Sequence, residues 1–232
     1  MVPLIVIRPE PGCSATVTAA TAAGLDVHGH PLFAVRPCSW QAPDPARFDA
    51  LLAGSANVFR HGGPGLAGLL GLPVYAVGET TASAARAAGF AVAAAGSGGL
   101  QAVLDSVVPS GARLLRLAGD ERVPLHLPPG LRMEERVVYA SKPQDMPPEL
   151  IERLRAPAII AVHSAEAVRH LTAQCVYHGI RRAPLRIAAL GQRIAQAAEG
   201  GWGEVAVAAL PNDIALLALA RQMCQDPGPK GR

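Results

Sequence analysis

Short apolar runs alternate with alanine-rich stretches along the whole chain. Residues 4–7, 56–59, 74–77, 91–94, 113–117, 159–162, 186–190 and 204–208 read as buried strands, because most are apolar at consecutive positions rather than at every second one. That pattern belongs to parallel sheets covered by helices on both faces. The stretches between the runs predict those helices.

The order of elements in the middle of the chain returns near its end. Val74-Tyr75-Ala76-Val77-Gly78-Glu79-Thr80-Thr81-Ala82 is followed by an alanine-rich helix, Gly89 and a strand. Ile187-Ala188-Ala189-Leu190-Gly191-Gln192-Arg193-Ile194-Ala195 is followed by the same sequence of features, ending in Gly200-Gly201 and a strand. Each copy is preceded by a strand, turn and helix, at 57–62 and at 159–164, and followed by a helix, at 100–107 and 214–223. Residues 4–35 likewise parallel 114–139. The expected fold is α/β with two similar lobes, each a parallel sheet flanked by helices, joined by two extended connectors with an open cleft between. Residues 1–34 with 140–232 form one lobe and 37–137 the other, with connectors near 31–36 and 136–140. Two crossings restrict the lobes to hinge-like motion. Ligands in such sheets sit at the turns after strand C-termini.

Composition adds that the core is aliphatic, with 50% hydrophobic residues but only 4% aromatic. The net charge of +3 comes from scattered Lys and Arg, adjacent only at Arg181-Arg182, without interleaved aromatics. This argues against nucleic acid as a partner. It suits a small substrate with several carboxylates, which guanidinium groups grip bidentately. Cys13, Cys38, Cys175 and Cys224 lie far apart, with no zinc or redox spacing. His28-Gly29-His30 is an i, i+2 pair that needs further ligands to complete a metal site, and reads as exposed strand or loop. Residues 4–7 are too short for a signal-peptide core, which places the chain in the cytoplasm with no membrane partner. The uncharged stretch around 87–104 is broken by Gly89, Gly96, Gly98 and Gly99 and reads as helix end, strand and glycine turn. The Pro/Gly tail 226–232 is expected to fray.

Candidate chemistry follows the strands. In Val77-Gly78-Glu79-Thr80-Thr81-Ala82, Thr80 or Thr81 either caps the helix or, with backbone N–H groups, holds a carboxylate or phosphate. No P-loop is present, and Gly96-Ser97-Gly98-Gly99 lacks dinucleotide spacing. His163-Ser164 ends a strand without the G-x-S-x-G elbow of a nucleophile, so it is a helix cap or a ligand-binding turn. Tyr139, at the end of a connector, is either a core residue or one turned into the cleft. Asp120-Glu121 and Glu134-Glu135 are adjacent pairs that read as solvated charges.

The motifs Ile7-Arg8-Pro9, Pro31, Val77 to Ala82, Gly119-Asp120-Glu121-Arg122, Val138-Tyr139, Ser164 and Leu190-Gly191 come in an order and spacing that resembles uroporphyrinogen-III synthase. The resemblance spans nearly the whole chain. It implies a cofactor-free, monomeric lyase of tetrapyrrole and haem biosynthesis that closes hydroxymethylbilane, which carries eight carboxylates, to uroporphyrinogen III with ring-D inversion and loss of water. It also implies transient contact with the deaminase upstream. Tyr139 matches the family tyrosine proposed to help the hydroxyl leave; a phenol is protonated at neutral pH and can donate. Thr81 and Ser164, with Gly78, Thr80, His163 and Gly191 beside them, would hold acetate or propionate arms. Arg8 contributes charge or caps its own turn. Where the family has a Phe-Thr-Ser turn followed by Asn, this chain is read as Phe59-Arg60-His61-Gly62-Gly63, which exchanges hydroxyls for cations and brings Arg60, His61 and Gly62 into the candidate site. In the second glycine turn Ile194 replaces the usual Thr. The competing reading is a non-catalytic two-lobed polycarboxylate-binding or scaffold protein.

Overall fold

A computed structural model describes residues 2–225; the tail expected to fray lies outside the described residues. In chain order the elements are β1 (Leu4–Val6), α1 (Gly12–Ala22), β2 (Val27–Gly29), β3 (Phe33–Pro37), β4 (Ala50–Ala53), α2 (Asn57–His61), β5 (Val74–Val77) and α3 (Gly78–Ala87). Next come β6 (Val92–Gly96), α4 (Leu100–Ser106), β7 (Arg113–Gly119), β8 (Arg132–Pro143), α5 (Pro148–Arg153), β9 (Ala158–Val162) and α6 (Ala165–Tyr177). The described chain ends with β10 (Leu185–Ala189), α7 (Gln192–Gln196), β11 (Glu204–Val207) and α8 (Asp213–Gln225). It divides into two compact units: residues up to Ala34 together with those from Pro143 onward, and Val35–Lys142. No helix among the described residues is long and apolar enough to cross a membrane.

The first unit holds a five-stranded sheet in the order β11-β10-β9-β1-β2, parallel at every pairing. Successive side chains of β1 go to opposite faces. Leu4 and Val6 pack with Cys13 and Ala20 of α1 and with Leu216 and Ala220 of α8. Ile5 and Ile7 pack with Val168 and Leu171 of α6. Helices on both faces are the reason the strand is apolar without interruption.

The second unit holds a six-stranded sheet in the order β3-β8-β7-β4-β5-β6, with β4–β5, β4–β7, β5–β6 and β7–β8 parallel. Leu51, Ala53, Leu115 and Leu117 face Val58 and Phe59 of α2 and Ala82 and Ala85 of α3. Ala50, Leu52 and Leu114 face Val103 and Leu104 of α4. The strand expected at 56–59 is therefore a helix, and the strand itself is β4, a few residues earlier. Ala50-Leu51-Leu52-Ala53 contains no β-branched residue, so its intrinsic strand preference is weak. Pairing on both sides, with β5 and β7, decides its conformation.

The internal repeat extends strand by strand. The order β4-α2-β5-α3-β6-α4 returns as β9-α6-β10-α7-β11-α8, and β7 then β8 extend the sheet beyond β4 as β1 then β2 extend it beyond β9.

Candidate active site

In the second unit, the end of β5 and the turns that follow β4, β6 and β7 line a cavity of about 400 Å³. Glycines keep it open. Gly98 and Gly99 take φ of 84° and 97°, a left-handed conformation that side chains disfavour. At Gly119 an added Cβ would lie 2.7 Å from Cε2 and 3.0 Å from the hydroxyl of Tyr139. A β-bulge creates this contact: Ala118 pairs with Val137 but Gly119 pairs with Tyr139, so Val138 is an extra residue in β8. Tyr139 is half-buried at the cavity wall, with its ring centroid 6.5 Å from that of His61. No described residue hydrogen-bonds its hydroxyl.

The cavity's inner wall carries a buried charge. Arg116, in the middle of β7, has a side chain only 2% exposed. Its Nη1 donates to Glu135 Oε1 at 2.7 Å and its Nη2 to the Val123 carbonyl at 3.0 Å, while Nε is buried without a partner. Glu135 Oε2 accepts from Arg122 Nε at 2.9 Å, and Arg122 Nη1 donates to the Asp120 carbonyl at 3.0 Å. Burial pushes the Glu135 carboxyl up, but the Arg122 hydrogen bond and the Arg116 charge outweigh it and hold the group below the usual carboxylate range. Two guanidiniums thus share one carboxylate. The expectation of solvated acids is corrected here. Neighbouring strand residues do face apart, yet each face supplies arginines: Glu135 meets Arg116 and Arg122, and Glu134 meets Arg47 and Arg136. Asp120 accepts from the Ser141 N–H and pairs with Lys142.

The glycine turn after β5 also differs from expectation. The helix begins at Gly78, φ 73°, with Val77 as its N-cap and no side-chain cap. Thr80 and Thr81 therefore lie inside the first turn and cap nothing; Thr80 is exposed and Thr81 is buried. Arg60 is exposed beside Asn57, and His61 is half-buried, its pKa lowered by burial and by Arg60. The Gly62 carbonyl accepts from Trp40 Nε1 at 2.7 Å, so Gly62 serves packing. The turn after β4 is Gly54-Ser55-Ala56-Asn57, which carries a hydroxyl and an asparagine after all. Phe59, Arg60 and His61 lie in α2 rather than in a turn that follows a strand. Ser55 Oγ accepts from the Asn57 N–H at 3.2 Å.

In the first unit a polar cluster closes the corresponding strand ends. Arg8 Nη1 donates to Asp213 Oδ2 at 2.7 Å and to Thr16 Oγ1 at 3.3 Å, and Thr16 Oγ1 donates to the same carboxylate at 3.2 Å. His163 Nε2 donates to Asp213 Oδ1 at 3.1 Å. Burial, and then the Arg8 charge, push His163 down to about 4 against the opposing pull of Asp213. Its ring is neutral at pH 7, and its buried Nδ1 has no partner. Arg8 is thus neither a free charge nor a cap of its own turn. Ser164 caps α6, accepting from the Ala167 N–H at 3.1 Å. Gly191 precedes α7, and its carbonyl accepts from the Ile194 N–H at 3.0 Å. Ile194 itself packs against the core.

Of the residues singled out in the sequence, the structure joins Arg8 with His163 and sets His61 near Tyr139. Sequence reasoning missed Asp213, Thr16, Ser55 and the Arg116–Glu135 pair. Two signals were present. Leu52-Ala53-Gly54-Ser55-Ala56 parallels Ala161-Val162-His163-Ser164-Ala165, and Arg116 is a cation with leucines on both sides, inside a run expected to be buried.

These features define a class: an α/β protein of two repeated units, each with a parallel sheet whose C-terminal strand edge gathers the polar chemistry. The sequence model described as HEM4, uroporphyrinogen-III synthase HemD, matches residues 14–218. The chain belongs to the uroporphyrinogen-III synthase family. The crystal structure of uroporphyrinogen-III synthetase from Helicobacter pylori is similar with a TM-score of 0.63 at 17% identity, covering 96% of this chain and 100% of that one. A mutant uroporphyrinogen III synthase from the extremely thermophilic bacterium Thermus thermophilus is similar with a TM-score of 0.53 at 18% identity, covering 97% and 100%. At such identities these two likenesses speak for the fold. No curated protein matches the chain.

Proposed function

We propose that this protein closes hydroxymethylbilane to uroporphyrinogen III, inverting ring D and releasing water, as a lyase of tetrapyrrole synthesis. The observation that carries the reading, beside family membership, is Tyr139 held by a bulge against Gly119 with its hydroxyl unengaged at an open cavity. The phenol O–H donates a proton to the terminal hydroxyl of the substrate, which leaves as water. The substituted carbon of ring D then attacks the resulting cation, and the spiro intermediate fragments and recloses with loss of a proton. Proton donation contributes roughly 10²–10⁴ in rate, and the remainder comes from holding a flexible chain in the reactive shape.

The carboxylate arms are met by exposed Thr80 and Arg60, by His61, by Ser164 and by backbone N–H groups of the Gly78 and Gly191 turns. His163 has a different part. A neutral ring whose Nε2–H is already given to Asp213 has no donor left for a carboxylate, so His163 orients Asp213 and Arg8. The reading takes with it a cytoplasmic location, two lobes on two extended connectors, and transient contact with the deaminase that supplies the substrate. Purified protein supplied with hydroxymethylbilane is expected to give the type III isomer. Uroporphyrinogen I alone, the spontaneous product, would overturn the reading.

A further inference from the structure

We infer that the cavity of the second unit is a subsite for a pyrrole ring bearing carboxylate arms, with Arg116 as the cation that selects for the carboxylate. The inference rests on the tetrapyrrole reading above and deepens it.

Three observations carry it. First, Arg116 is buried, lines the cavity, and keeps one N–H donor without a partner. An unsatisfied buried donor is costly, and an arriving carboxylate relieves that cost. Second, two arginines but one acid, the exposed Glu121, line the cavity, and Glu135, which is not among the lining residues, pairs with both arginines. The other wall residues include Val58, Val77 and Leu125, which suit the flat apolar face of a pyrrole and exclude water from the charge. Third, the fold does not need a cation at this position. Leu52 stands opposite Arg116 as Ala161 stands opposite Val6, and Leu52 and Ala161 hold the same place in the repeat relative to Ser55 and Ser164. The counterpart of Arg116 in the first unit is therefore Val6, which is fully buried in an apolar core. A guanidinium buried where valine satisfies the same architecture points to a ligand.

The test is calorimetric titration with a pyrrole carrying one acetate and one propionate arm, and with its dimethyl ester, against wild type, Arg116→Lys, Arg116→Val and Arg116→Val/Glu135→Gln. Thermal melts establish that each variant is folded, and the double variant removes the risk that Glu135 is stranded. Expected are binding of the acid to wild type at millimolar Kd or tighter and at least tenfold weaker binding of the ester. Loss of binding of about 10- to 100-fold is expected in Arg116→Val and in the double variant, with a smaller loss in Arg116→Lys. With hydroxymethylbilane, KM should rise by the same factor while kcat changes less than threefold. Wild-type affinity in folded Arg116→Val or in the double variant, or equal binding of acid and ester, overturns the subsite. Binding is read separately from turnover, so a wild type that yields only the type I isomer defeats the functional reading while the titration still decides the subsite.

Discussion

At the end of β1, Arg8 is tied to Asp213 and Thr16, and Asp213 in turn holds His163. At the corresponding end of β7 the backbone runs through Ala118 and Gly119 beside a cavity, and the cation, Arg116, sits two residues earlier in the strand. The repeat thus offers the same strand edge twice. In the first unit, an arginine, a carboxylate, a hydroxyl and the Nε2 of a neutral imidazole hydrogen-bond one another and close it, with the imidazole Nδ1 left without a partner. In the second, glycines replace side chains and two arginines share one carboxylate, so the edge stays hollow with guanidinium groups in its wall. The difference shows that topology fixes where polar groups gather but not whether they are spent on the fold or left for a ligand.

The sharpest way to break this comparison is at the hollow edge. Tyr139→Phe removes the proposed proton donor without changing ring volume, and kcat should fall by roughly 10²–10⁴ with stability nearly unchanged. Gly119→Ala places a methyl 2.7 Å from Tyr139 Cε2, so the ring must move, and kcat should fall by roughly 10². Steady-state assays of isomer III formation check both. If both variants retain wild-type kcat, Tyr139 is a wall of the cavity and nothing more.

The closed edge should answer in stability. Asp213→Ala leaves Arg8 and His163 without their shared acceptor, at a cost of about 1–3 kcal/mol once the partial exposure of Arg8 and Asp213 is allowed for. Urea unfolding measures it; an unchanged midpoint would show that the cluster does not lock the unit.

The same cluster predicts a pH dependence. His163 stays neutral in the folded protein down to about pH 4, whereas in the unfolded chain it protonates near 6.5. Between those values the unfolded state binds more protons, so stability is complete above about pH 6.5 and is lost as pH falls toward 4. The span corresponds to on the order of 3 kcal/mol. Melting temperatures followed from pH 7 to 4 should drop for the wild type and flatten for His163→Gln.

How much of this could be read from the sequence depended on distance along the chain. Residues 74–77 were legible because Pro73 and Gly78 bracket an apolar run, and Ser164 because it stands between a strand and a helix. β4 was hidden because its four residues suit a helix as well as a strand, and only its neighbours in the sheet settle the matter. The Arg8–Asp213 pair joins residues 205 positions apart, which no local pattern records. The bulge that faces Tyr139 to Gly119 depends on a register between strands and so leaves no local mark.

The smallest expected effect tests the repeat itself. Ser55 and Ser164 hold the same place after β4 and β9, and each hydroxyl accepts a backbone N–H, from Asn57 at 3.2 Å and from Ala167 at 3.1 Å. Ser164 bonds the third residue beyond it, at the N-cap of a helix of 13 residues. Ser55 bonds only the second, ahead of a helix of 5 residues. Losing a true N-cap costs typically about 1 kcal/mol, so Ser164→Ala should lower stability by about that amount and Ser55→Ala by clearly less. If Ser55 instead spends its hydroxyl on a carboxylate at the cavity it lines, Ser55→Ala should raise KM for hydroxymethylbilane severalfold while the unfolding midpoint barely moves. Equal stability losses from both serines, with KM unchanged, would mean that the two edges use their serines alike and that the division between a spent and an unspent edge does not extend to this position.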